Sequence, residues 1–217
     1  MSSGNGPWME TVSHRRFYFL KPELSDICIA DAAHHLSHES RFGGATQVEY
    51  CVAEHCIHHS ELVRGGPALQ LRGLCHDLHE YVVKDLTRPM KLALNILAGF
   101  DIVKKLVAPI DAAIEKQLGI DLTSEEDGRE TEIKRCDNIL LDVESRVILQ
   151  SDQKDWVPFG ILEHERMASH IFESLRLPFS MKEYRGVSYS DYCAAQFIEK
   201  YEILKKQIAE AEAWKEL

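Results

Sequence analysis

His55, His76, Asp77, Glu80 and Asp137 are residues of the kinds that ligate metals or move protons, and each falls on or beside the apolar stripe of a helix. In QVEYCVAEHCIHHSELV, residues 47–63, positions 48, 52, 55, 59 and 62 recur at spacings of three and four, which turns His55 inward. In LCHDLHEYVVKDL, residues 74–86, His76 and Glu80 lie one turn apart with Asp77 adjacent, beside Leu71, Leu74, Leu78 and Val82. In ETEIKRCDNILLDVESRVIL, residues 130–149, Ile133, Asp137, Leu140, Leu141 and Glu144 share one side. Burying such groups unpaired costs several kcal/mol each or forces them to neutralise. A shared divalent cation removes that penalty, because neutral imidazoles and carboxylates are what Zn²⁺, Mn²⁺, Fe²⁺ or Co²⁺ accept. The plainer alternative is a set of hydrogen-bonded core histidines and solvated helix acids, and the pattern alone leaves both open. His34, His35, His38, His58 and His59 also include i, i+4 pairs, but among eleven histidines they read as helix surface or packing.

Helices must position these residues. The helical period begins at Ser25–Asp26 and breaks at Arg41-Phe42-Gly43-Gly44. The helix bearing His55 stops at Gly65-Gly66-Pro67, and a third is expected from about 68 to 84, closed by Thr87-Arg88-Pro89. Residues 90–118 read as helical, with Pro109 at a kink or a new first turn and Gly119 as the C-cap. After the acidic loop 121–130 comes the helix with Asp137. One or two shorter helices are expected from 155, then a long one from about Ser190, opened by a Ser188-x-x-Asp191 capping box. RRFYFL, residues 15–20, reads as one strand of a small hairpin. No repeat or linker divides the chain, so residues 1–217 read as one nearly all-α domain.

The chain is 45% apolar and 28% charged, with a net charge of -10. That charge argues against a sequence-independent grip on nucleic acid, which needs clustered cations, while leaving a single nucleotide acceptable as a ligand. No stretch reaches the roughly 18 apolar residues that span a bilayer. The N-terminus carries no secretory h-region, and the six cysteines form no CxxC pair. The expectation is reduced thiols in a cytoplasm.

At these residues the sequence resembles the HD-domain superfamily of metal-dependent phosphohydrolases, whose signature is H…HD…D on separate helices. VEYCVAEHC is similar to the family's SVAEHS helix, CHDLHEYVVKDLTRPMK to its HDxxExxxxDxxxPxK stretch, and IKRCD to the helix carrying the last ligand. The similarity runs over roughly residues 8 to 205, including RRFYFL and the SRFGG turn. It implies a compact all-α HD-domain helical bundle with a short N-terminal β-hairpin. It implies a divalent metal ion (Mn, Co, Zn, Fe or Mg) on His55, His76, Asp77 and Asp137, with Glu80 and Asp85 as catalytic acids. Arg41, Lys91 and Lys134 match phosphate-binding positions, and Phe42 matches an aromatic that packs on the sugar. Within the superfamily the chain looks most like two groups. One is the phage DatZ-type enzymes, which cut dATP into deoxyadenosine and tripolyphosphate, and the other is the YfbR-type 5′-nucleotidases of deoxynucleoside monophosphates.

The opening segment and the Pro-x-Lys after the HD helix suit the triphosphohydrolase better. Lys84, the Leu78-His79 pair and Gly44 depart from the family pattern and bear on base and sugar selectivity. A nucleotide-binding regulator without turnover is the rival from another class. By analogy the partners are a nucleotide substrate and further copies of the chain in a dimer or hexamer, in the host cytoplasm if the source is a phage.

Overall fold

The computed structural model describes residues 2–122, 132–149 and 186–214. They form a helical bundle with a small antiparallel sheet at its N-terminal edge. Strands β1 (Ser2–Ser3), β2 (Gly6–Glu10) and β3 (Arg16–Tyr18) run in sequence order, with Met9 opposite Phe17 and Trp8 opposite Tyr18. The hairpin expected at RRFYFL is therefore present, and GPWME is the partner strand. Phe17 plugs into the bundle edge-on to Tyr81, at 5.6 Å between ring centroids. The hairpin loop is tied down through Asp31, which accepts from Thr11 Oγ1 at 2.6 Å and Ser13 Oγ at 2.7 Å.

Helix α1 is Ile29–Ser37, α2 Val52–Leu62, α3 Pro67–Cys75, α4 Glu80–Val83, α5 Arg88–Ala98, α6 Ile102–Leu118, α7 Glu132–Val147 and α8 Tyr189–Ala213. Helix α2 lies between two apolar clusters. The larger gathers Ala32, Leu36, Val52, Cys56, Leu74, Leu78, Ile110 and Phe197 from five helices and the turn after α3, and the smaller packs Tyr50, Leu62 and Val63 against Cys136, Ile139, Leu140 and Val143. Of the α2 residues only Glu61 is exposed, so Glu54, His55, His58 and His59 are all buried. A helix buried on every side is usually apolar on every side. Here the polar residues need partners, and those partners make the site.

Four boundaries differ from the sequence expectation. Helix α1 starts at Ile29, capped by the backbone of Cys28 and not by Ser25 or Asp26. Helix α2 starts at Val52, where Cys51 Sγ accepts from the Glu54 N–H, because the Arg41 N–H donates to the Tyr50 carbonyl (3.0 Å) and Cys51 bridges to Ser40 in an extended conformation. The 90–118 stretch divides at Gly99, whose left-handed backbone closes α5, and restarts at the Asp101 cap with Pro109 inside α6. The single helix expected over 68–84 is two, joined by tight turns at 76–79. Gly119 as a C-cap and Ser188 as the cap of the last helix stand as expected. The short helices expected from 155 lie outside the described residues.

Candidate metal centre

The break in the 68–84 helix builds the site. From Cys75 onward the backbone tightens to i→i+3 bonds: Leu78 to Cys75 at 3.0 Å, Glu80 to Asp77 at 3.0 Å and Tyr81 to Leu78 at 3.2 Å. Such turns eclipse residues three apart. Asp77 consequently stays beside Glu80, while His76 and Asp77 also face His55 of α2, with Asp137 of α7 next to the two imidazoles.

His55 Nε2 and His76 Nε2 stand 3.4 Å apart. Each ring is held from behind. His76 Nδ1 donates to the carbonyl of Gly73 at 2.8 Å, and His55 Nδ1 meets Glu144 Oε1 at 2.6 Å. With both Nδ1 atoms engaged by acceptors, both Nε2 lone pairs face one point, which is repulsive unless a proton or cation lies between them. Asp137 Oδ1 lies 3.7 Å from His55 Nε2, and donor atoms of His55, His76 and Asp137 fall within 4.8 Å of one another. Asp77 Oδ2 adds 3.2 Å to His76 Nε2 and 3.7 Å to His55 Nε2. This donor set fits a divalent transition ion: two imidazoles with outer acceptors, whose Nε2 protons an ion would displace, plus two carboxylates. Burial works to raise the carboxyls of Asp77 and Asp137, but the His76 ring beside them outweighs it; Asp137 is held at about 2 and Asp77 well below the carboxylate range. Both are therefore ionised, as ligands must be.

Glu144, which sequence reasoning placed on the inward side of its helix and gave no role, is the outer support of the centre. It is fully buried and receives Tyr50 OH at 2.7 Å and Arg41 Nη2 at 3.1 Å besides His55. Burial alone would raise its carboxyl, yet Arg41 and then His55 bring it to about 2. His59, expected at the surface or in packing, is buried and stacks on His76 at 4.0 Å between centroids, with Nε2 bonded to the Ile133 carbonyl at 2.9 Å. The inward spacing of 144 and 59 carried a signal for both, but only the fold says what they touch.

The remaining candidates surround this point. Glu80 is buried, and its carboxyl is pushed well above the usual range by burial and then by the neighbouring Asp77 and Asp85. Asp85 accepts from the Phe42 N–H at 3.2 Å. Phe42 itself sits in the left-handed region at φ 56, half-buried, with the Arg41 guanidinium 5.4 Å from its ring centre. Arg41 differs from its expected part as an open phosphate ligand. It is buried and faces Glu144 at 3.1 Å, Asp77 at 3.8 Å and Asp85 at 3.9 Å, so its charge is committed to acids of the site. Lys91 and Lys134 keep about half their side-chain surface, at 40% and 53%. Lys91 lies 3.8 Å from Glu80 and Lys134 bonds Asp137 at 2.7 Å. A separate cleft of about 440 Å³ lies beyond Tyr50, lined by Ser37, His38, Ser40, Thr46, Cys51 and Tyr189 among others; none of the four candidate ligands lines it.

No family model matches the chain. It is similar to an uncharacterized protein of Rhodobacter capsulatus, at 38% identity over 95 residues covering 41% of this chain and 48% of the relative. It thus spans about half the length of that relative. It is also similar to the uncharacterized protein YfdR of Escherichia coli, at 31% identity over 149 residues, covering 69% of this chain and 76% of YfdR.

Proposed function

The chain belongs to one family with YfdR of Escherichia coli, and for this member we propose a metal-dependent phosphohydrolase of the HD type that acts on deoxynucleotides. The reaction we assign is hydrolysis of dATP to deoxyadenosine and tripolyphosphate. One observation carries the metal reading: two imidazoles present their Nε2 atoms 3.4 Å apart, each with Nδ1 tied to an acceptor. His55, His76, Asp77 and Asp137 would hold the ion. When bound, a divalent ion supplies Lewis-acid charge at a phosphoryl oxygen and makes water more acidic.

The protein's own groups supply the rest. Glu80, a buried carboxyl kept in its neutral form, is suited to hold a proton and deliver it to a leaving oxygen. Asp85 fixes the backbone of Phe42, which sets where that ring stands at the edge of the site. Against a deoxyribose, an apolar ring leaves a ribose 2′-OH unpaired, which favours the deoxy sugar. Lys91 and Lys134, half-exposed at the rim beside Glu80 and Asp137, stand where phosphates would meet them. Arg41 neutralises the acids behind them.

Product analysis tests this. The protein is incubated with each of the four dNTPs, ATP and dAMP, with Mn²⁺ or Co²⁺ and with chelator, and nucleoside, phosphate and tripolyphosphate are separated. Deoxyadenosine with tripolyphosphate from dATP, lost on chelation, is the expected result. Phosphate from dAMP with untouched dNTPs would replace the triphosphohydrolase by a 5′-nucleotidase. Binding without turnover in any arm would leave a nucleotide-binding regulator in place of an enzyme.

A further inference from the structure

The start of α2 carries a sulfur where helices ordinarily carry an oxygen. Its N-cap is Cys51, whose Sγ accepts from the Glu54 N–H at 3.4 Å. Ser, Thr, Asp and Asn fill that position best, so capping by itself does not call for a thiol. A second cysteine stands beside it. The Tyr189 hydroxyl, on the first residue of α8, accepts from the Cys51 N–H at 3.1 Å and donates to Glu54. Cys193 lies one turn further along the same face of α8. Its thiol hydrogen-bonds the sulfur of Cys51.

The two sulfurs have different surroundings. Cys51 lines the cleft of about 440 Å³ beyond Tyr50 and sits at the positive end of an eleven-residue helix, which favours a thiolate. Burial opposes ionisation there, yet contacts with Cys193 and then Tyr189 outweigh it and hold Cys51 below the ordinary thiol value. Cys193 is fully buried and does not line the cleft, and its bond to Cys51, followed by burial, pushes its thiol up. Cys51 is thus placed to react first and Cys193 to follow.

We propose that Cys51 and Cys193 form a peroxide-sensitive dithiol, in which Cys51 meets a small hydroperoxide from the cleft and Cys193 closes a disulfide behind it. The Cys51 sulfur takes one oxygen of the hydroperoxide as the O–O bond breaks, which leaves a sulfenic acid and an alcohol, or water where the oxidant is hydrogen peroxide. The Cys193 sulfur then bonds to that sulfur as the S–O bond breaks and water leaves. Two electrons pass from the thiols to the peroxide, and both thiol protons end on the released alcohol and water. The product ties α8 to the cap of the helix that bears His55. Exposure alone would select a different residue, because Cys28 is the one cysteine of the six that is not buried.

The test is titration of the reduced, desalted full chain with hydrogen peroxide, read by free-thiol counts and by a peptide map run without reductant. Wild type is expected to lose two of its six free thiols and the mass of two hydrogens. The map should show one cross-linked peptide, Cys51 to Cys193, and dithiothreitol should restore every thiol. Cys193→Ser stops at the sulfenic acid, which dimedone labels at Cys51. Cys51→Ser keeps a capping oxygen and leaves Cys193 reduced. Circular dichroism melts check that both variants are folded, and the wild-type map locates the bond without them. Oxidation of Cys28 with Cys51 and Cys193 intact would overturn the proposal. So would a cross-link through another pair, oxidation of Cys51 in wild type without a cross-link, or no thiol consumed in excess peroxide.

Discussion

Glu144 shows how a single carboxylate can set the basicity of a ligand it does not replace. It receives His55 Nδ1, so it fixes the tautomer and turns Nε2 toward the other donors. Glu144→Gln keeps the shape but offers only one acceptor oxygen to three partners. Mn²⁺ affinity by calorimetry should fall about 10–100-fold, the usual cost of losing an outer carboxylate, with the helical content unchanged. His58, three residues beyond His55 on α2, has a different role. Burial opposes its charge, yet Glu54 at 3.4 Å and Glu61 at 3.7 Å outweigh burial and keep it protonated up to about 9. A folded value above the ordinary 6.5 means that its contribution is complete below pH 6.5 and declines as pH rises to about 9. The loss is on the order of 3 kcal/mol at ~1.4 kcal/mol per unit. Urea unfolding between pH 6.5 and 9 should show that decline in wild type and a flatter profile in His58→Gln.

At the scale of elements, α2 and α3 meet where Gly73 has no side chain. A Cβ there would come within 2.8 Å of Val63 Cγ2 and 3.0 Å of His59 Nδ1, and the Gly73 carbonyl holds His76. Gly73→Ala therefore pushes on the ring that stacks against His76, and overpacking of this kind costs about 1–3 kcal/mol. Thermal melting should drop by roughly 2–4 °C per kcal/mol for a chain of this size, with Mn²⁺ affinity falling alongside. Periodicity made the helices legible, and it turned His55 and Asp137 inward correctly. It could not reveal the break at 76–79, because Leu71, Leu74, Leu78 and Val82 keep helical spacing straight through it and the cause is tertiary: His76 and Asp77 are drawn toward α2 and α7. It put His59 on the stripe of His55, but the ring's partners, His76 and the Ile133 carbonyl, come from the 76–79 turn and α7 and are not in the spacing. The second acidic partner of His55 was visible only as an inward residue.

For the molecule as a whole, a centre assembled from α2, the 76–79 turn and α7 joins segments more than 80 residues apart, as the His55–Glu144 contact does. Ion binding to the folded chain should therefore stabilise all three together. At Mn²⁺ a hundredfold over Kd the linkage amounts to about 2.7 kcal/mol, or roughly 5–10 °C in Tm at this chain length. Differential scanning fluorimetry with Mn²⁺ and with chelator reads this directly, and Asp137→Asn should lose most of the difference.

Arg41, finally, holds one buried cation against acids from three parts of the chain. Loss of the guanidinium leaves Glu144, Asp77 and Asp85 facing one another, and loss of Glu144 strands the guanidinium away from water. Buried charges are costlier to remove singly than together. Any lineage that abandons this chemistry has to cross a fitness valley at its first substitution, whichever partner goes first. Descendants in which the neighbouring residues had lost their role would therefore tend to keep the arginine and its acids, and the charged cluster would outlast its use.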